Sequence, residues 1–141
     1  MASEEEENKK LARHIFEQIW NGKNLAVLDE LVAPNFVFHN AVQTLYGPEG
    51  FKQFATAYHT AFPEAHFTIE DVIGDGDMVA LRWTARGTHK GELRGIPPTG
   101  KQVTVSGITI TLISNGKTVE SWGEFDALGM LQQIGVVPKM G

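Results

Sequence analysis

Thr118-Val-Glu-Ser-Trp-Gly-Glu-Phe-Asp-Ala-Leu-Gly-Met-Leu-Gln-Gln-Ile-Gly135 is the stretch whose reading decides the fold. Its first half alternates with the period of two of a β-strand. Glu120, Trp122, Glu124 and Asp126 fall on one face, and Val119, Ser121, Gly123 and Phe125 on the other. A merely solvated face seldom carries Trp, and a merely packed one seldom carries carboxylates, so the mixed face predicts the wall of a partly closed cavity. Asp126 stands where strand gives way to helix. Its carboxylate either caps that helix or projects into a pocket at the end of the sheet.

Outward from this stretch the period of two continues. Ser114-Asn-Gly-Lys117 is an Asn-Gly hairpin turn and joins the final strand to one covering Val103 to Ile113. There Val103 and Val105 share one parity and Ile108, Ile110 and Leu112 the other, so the pattern predicts a bulge at Ser106-Gly107. Met78 to Thr88 and His66 to Ile73 read as two further strands joined by a turn at Gly74-Asp-Gly-Asp77. In the former, Val79, Leu81, Trp83 and Ala85 alternate with Ala80, Arg82, Thr84 and Arg86, a half-buried strand whose arginines face water. The glycines and prolines of His89 to Gly100 predict a long loop.

The N-terminal half has the helical period instead. Ser3 before four glutamates is an N-cap signal, and Leu11, Ile15 and Ile19 with Ala12, Phe16 and Trp20 form one broad apolar face that ends at Asn21-Gly22. Asn24 can cap a short second helix carrying Leu25, Leu28 and Leu31, with Pro34 as its stop. Phe36-Val-Phe-His39 reads as a short strand with the polar pair His39-Asn40 at its end. Gly47-Pro-Glu-Gly50 then opens a third helix striped by Phe51, Phe54, Tyr58 and Phe62, and Pro63 stops it. Helices followed by an antiparallel meander make an α+β plan, residues 1–141 as one domain, with a curved sheet wrapped around the N-terminal helices to enclose a cone.

Composition narrows the function. With no cysteine, disulfides, thiolate metal sites and cysteine nucleophiles are excluded. Seventeen acidic against twelve basic residues, and no basic stripe, argue against nucleic-acid binding. No apolar run approaches the ~20 residues of a membrane span, and the acidic start is unlike a signal peptide, so the expected setting is cytoplasmic. His14, His39, His59, His66 and His89 show no compact ligand spacing, and no metal is expected. Neither a Gly-x-Ser-x-Gly elbow nor a phosphate loop is present.

Acid–base chemistry remains. A carboxylate in an aromatic-lined pocket has its charged form disfavoured by desolvation, which makes it a usable proton carrier near neutral pH. Asp126 and Glu124 are the carboxylate candidates, with His39 and His89 as partners from other strand ends. Trp20, Phe54, Tyr58, Trp83 and Trp122 are expected to point inward, either as core or as walls of a site for a hydrophobic small molecule.

Several fragments together resemble a known family. Trp20-Asn21, Leu25-Ala-Val-Leu-Asp-Glu-Leu-Val-Ala-Pro34, Gly87-Thr-His89, Gly95-Ile-Pro-Pro-Thr-Gly100 and Glu120-x-Trp-Gly-x-Phe-Asp-x-Leu-Gly-x-Leu-Gln-Gln133 are similar to the SnoaL-like polyketide cyclases, or ester cyclases. The resemblance implies a nuclear-transport-factor-2-like (NTF2-like, or cystatin-like) cone, homo-oligomers (dimer or tetramer) built on the outer face of the sheet, and chemistry without a cofactor. It also implies a cavity aspartate acting as general acid/base in the intramolecular aldol closure of a polyketide ester. Asp126 is the matching position, with His39 or Asn40 as a second polar contact. The family histidine before the last tryptophan is Ser121 here. The same cone hosts isomerases, epoxide hydrolases and non-catalytic binding modules, which stay open as alternatives. The outward arginines Arg82 and Arg86 argue against the epoxide hydrolase.

Overall fold

The computed structural model describes residues 3–138. Helix α1 (Glu4–Trp20) and helix α2 (Val27–Leu31) lead into strands β1 (Val32–His39) and β2 (Thr44–Tyr46). Helix α3 (Gly47–Ala61) follows, then β3 (His66–Asp75), β4 (Met78–Thr88), β5 (Gln102–Ser114), β6 (Lys117–Phe125) and helix α4 (Ala127–Gln133). The six strands form one sheet in the order β2-β1-β6-β5-β4-β3. Every neighbouring pair is antiparallel except β1 and β6, which run parallel. The α+β plan with a sheet wrapped around N-terminal helices is the one the sequence predicts.

The helices close one face of this sheet. Ser3 caps α1 by accepting from the Glu6 amide at 3.1 Å, and four glutamates occupy its first turn, where the helix dipole favours them. The apolar side of α1 buries Ala12, Ile15, Phe16 and Ile19 against the sheet. Just past its end, Asn21 pairs with the edge strand: its Nδ2 donates to the Phe67 carbonyl and its Oδ1 accepts from the Phe67 amide, both at 2.8 Å. This side chain takes the place of a neighbouring strand at Phe67, covering that point of the free edge of β3. α3 lies over β1, with Phe51 and Ala55 buried in the same cluster as Phe36 and Phe38.

Several local features depart from expectation. Pro34 does not end α2 at a distance; the helix passes directly into β1, and Pro34 lies in the strand where the β1–β6 register breaks between Val32 and Val37. A residue without an amide donor is tolerated there because no ladder bond is needed. Asn24 does not cap α2; its Nδ2 donates to Gln18 Oε1 at 3.1 Å, and the helix begins after Ala26. β2 is an additional short strand. The turn after β3 occupies only Gly76-Asp77 of the expected Gly74–Asp77, with β3 running on to Asp75 and Gly76 at a φ of 62°.

The faces of β5 also differ from expectation. Its register with β4 is continuous from Met78↔Leu112 to Thr88↔Gln102, so no bulge occurs at Ser106-Gly107. The irregularity lies instead against β6, between Leu112 and Ile113. Val103, Val105, Thr111 and Ile113 therefore all point inward, whereas Ile108 and Ile110 stay on the outer face, 49% and 37% exposed. No helix among the described residues is long and apolar enough to cross a membrane.

Candidate active site

Between helices and sheet lies a cavity of about 140 Å³. The helices contribute Trp20, Phe54 and Tyr58, and the strands Phe38, Trp83 and Phe125. Two glycines shape its floor. A Cβ at Gly107 would overlap the indole of Trp83, and one at Gly123 would come within 2.7 Å of Phe38 Cζ, so both aromatic rings rest on bare backbone. Aromatic edges meet faces across the space: Trp20 and Phe54 are 6.3 Å apart at 85°, and Tyr58 and Phe125 are 5.9 Å apart at 88°.

Of the residues singled out from sequence, Trp20, Phe54, Tyr58 and Trp83 line this cavity, as do Asn40 and Glu124. Glu124 and Arg86 are exposed and mark the rim; Arg86, expected to face only water, is part of the wall at that end, so its position does not argue against chemistry in the cavity. They lie, with Asn40, at the carboxyl ends of β6, β4 and β1, which the strand pairing brings to one end of the sheet. Asn40 also shapes its own turn, Oδ1 accepting from the amides of Val42 and Gln43 at 2.9 and 2.8 Å.

The other four lie elsewhere. Trp122 faces the outer side of the sheet, not the cavity, and so does His39 opposite it in the β1–β6 register. Their rings stack at 5.6 Å and 17°, and His39 Nε2 is 2.6 Å from Glu120 Oε2. The aromatic and acidic face of β6 is thus the outer one at Glu120 and Trp122, and of that set Glu124 alone, at the strand's end, reaches the cavity rim. The inner face of β6 carries Thr118, Ser121, Gly123 and Phe125, all in the cavity wall. Asp126 is exposed and outside that wall; its Oδ1 accepts from the Gly129 amide at 2.9 Å, which makes it the N-cap of α4.

His89 is completely buried, yet it too is outside the wall. Its Nδ1 lies 3.0 Å from Thr99 Oγ1 and accepts from the Thr99 amide at 3.3 Å, and its ring packs on Phe62 at 5.4 Å. Its backbone donates to the Lys101 carbonyl and accepts from the Gly100 amide. His89 therefore pins both ends of the loop between β4 and β5. The amides of Lys90 and Gly91 tie the same loop to the Ala61 carbonyl at the end of α3.

Hydroxyls, which sequence reading missed, supply most of the cavity's interior polarity. Thr111 Oγ1 and Ser121 Oγ are buried and 2.7 Å apart across β5 and β6, and Trp83 Nε1 donates to Thr109 Oγ1 at 3.2 Å. The signal was the alternation of Thr109 and Thr111 with Ile108 and Ile110. It reads as a solvated threonine face unless the isoleucines are known to point outward. Tyr58 adds a phenol whose pKa burial pushes up, with the Arg94 charge partly opposing. At neutral pH it keeps its proton and stands as a donor in the cavity wall.

An α+β cone whose helices and sheet enclose an aromatic chamber is the NTF2-like fold. Within that class the chain belongs to the SnoaL-like polyketide cyclase family, whose model matches residues 10–134. The aklanonic acid methyl ester cyclase DnrD of Streptomyces peucetius is 31% identical over 130 residues, covering 89% of this chain and 88% of that one. DauD of Streptomyces sp. (strain C5), of the same description, is 32% identical over 110 residues, covering 77% and 67%. Among solved structures, TsrD from Streptomyces laurentii superposes with a TM-score of 0.83 at 26% identity, covering 96% of this chain and all of that one (100%).

Proposed function

We propose that this protein is a cofactor-independent cyclase that closes a ring in a hydrophobic carbonyl compound by an intramolecular aldol step. The observation that carries this is the aromatic cavity with the Tyr58 phenol in its wall, in a chain of the polyketide cyclase family. A carbon flanked by two carbonyls in a polyketide ester is acidic enough to give its proton to a solvent-borne base, hydroxide or buffer, at the rim, and that proton is the one returned after closure. The enolate carbon then attacks a carbonyl of the same molecule, one carbon–carbon bond forms, and the resulting alkoxide takes up a proton. The protein's part is to fold the chain so that its reacting ends meet, and to place the Tyr58 O–H beside the oxygen that gains charge. About 140 Å³ is below the roughly 300–1,000 Å³ of sites that enclose a whole drug-sized ligand, so the reacting end is enclosed and the remainder passes the rim at Arg86 and Glu124.

Asp126, an exposed cap with its carboxylate committed to the Gly129 amide, supports no proton transfer inside the chamber. That observation favours a second reading, a binding module that holds an apolar ligand without turnover. Incubation with aklanonic acid methyl ester, with product followed by chromatography, separates the two. Ring closure faster than in buffer, lost in Tyr58→Phe, supports the cyclase; saturable binding without closure supports the module. The exposed isoleucines of the outer sheet face support a homo-oligomer formed through that face.

A further inference from the structure

The Thr111–Ser121 hydroxyl pair has one proton more than the fold uses. Each hydroxyl brings one donor, and their mutual hydrogen bond at 2.7 Å consumes one of the two. Among the described residues neither oxygen has another side-chain or backbone partner, although the two residues are only 5% and 6% exposed. Both line the cavity, in a wall they share with the aromatic rings of Phe38, Trp83 and Phe125 and with Thr109 and Thr118, of which the Thr109 hydroxyl already accepts from Trp83. A donor left over in an apolar chamber is satisfied only by what enters the chamber.

We propose that this pair is the polar anchor of the ligand, donating one hydrogen bond to a carbonyl oxygen on an aromatic or enone ring of the enclosed end. The proposal rests on the reading of the cavity as a site for hydrophobic carbonyl compounds and names the atom they present to its floor. Chamber size sets the probe: about 140 Å³ is close to the roughly 150 Å³ that admits a benzene-sized molecule. An aryl ketone therefore fits with its ring against the aromatic walls. Cross-strand Thr–Ser pairs also occur as plain sheet contacts. The leftover proton is what distinguishes an anchor from such a contact.

Acetophenone and ethylbenzene have nearly the same shape and differ in the carbonyl oxygen. Calorimetric titration of both into the wild type and into the Thr111→Val/Ser121→Ala double variant isolates the anchor. The double variant keeps side-chain volume and removes both partners together, which leaves no orphaned hydroxyl; its thermal unfolding serves as the folding check. Each single variant retains one O–H, so both keep the preference for the ketone. The expected result is an acetophenone affinity about tenfold weaker in the double variant, with ethylbenzene unchanged or tighter. Equal changes for both compounds overturn the anchor while leaving the cavity reading intact. Failure of the wild type to bind either compound overturns both.

Discussion

Phe38 and Gly123 meet at the cavity floor with no side chain between them: a Cβ on Gly123 would lie 2.7 Å from Phe38 Cζ. The ring belongs to the cluster that joins α3 to β1, where it meets Phe51 edge-on at 5.0 Å and 84°. A methyl group at position 123 has to displace a ring that is itself wedged. Gly123→Ala is predicted to destabilise the fold by about 1–3 kcal/mol, the usual cost of overpacking a filled core. Equilibrium denaturation in urea with an unchanged m-value checks this.

Asp126 caps α4, and its removal has a stability signature. Asp126→Ala leaves the Gly129 amide without its partner and is predicted to cost about 1 kcal/mol. Asp126→Asn retains an acceptor oxygen and is predicted to cost less. Denaturation midpoints of the two variants, measured side by side, give the comparison.

Acid sensitivity is predicted from His59. Its pKa is lowered, first by burial and then by the Lys23 charge, with the Ile19 carbonyl partly opposing. Its Nε2 is buried without a partner among the described residues, and its ring meets Trp20 at 5.6 Å. The folded protein therefore resists protonation that the unfolded chain accepts. Stability is fully present above the ordinary histidine pKa of about 6.5 and falls as pH drops through the lower folded value. The melting temperature of the wild type is predicted to fall more between pH 7.5 and pH 5 than that of His59→Gln, and thermal melts at both pH values test it.

These sites also mark how far the sequence could be read. The Asn115-Gly116 hairpin was legible because positive φ, here 52° and 74°, is a local demand that few residues meet. Helix α1 was legible because its apolar face and N-cap agree. The parity of β6 was legible too, since Glu120, Trp122 and Glu124 do share a face. Which side that face takes was not. Period two sends the large apolar residue inward, but the inner positions flanking Trp122 are Ser121 and Gly123, left small because Phe38 and the Thr111 hydroxyl already occupy the space. The same inversion sends Ile108 and Ile110 outward in β5. Small residues that make room for a ring from another element carry no local signal, so His39 and Trp122 were grouped with cavity residues they do not meet.

The most direct test of the account is ring closure of a polyketide ester by Tyr58→Phe and Asp126→Asn, each against the wild type, with binding of the same ester measured in parallel. If the chamber positions the substrate and the Tyr58 phenol stabilises the developing charge, Tyr58→Phe lowers kcat by at least about tenfold with little change in binding, and Asp126→Asn turns over at close to the wild-type rate. Turnover abolished by Asp126→Asn and untouched by Tyr58→Phe would contradict it, and would return the proton transfer to the carboxylate at the head of α4.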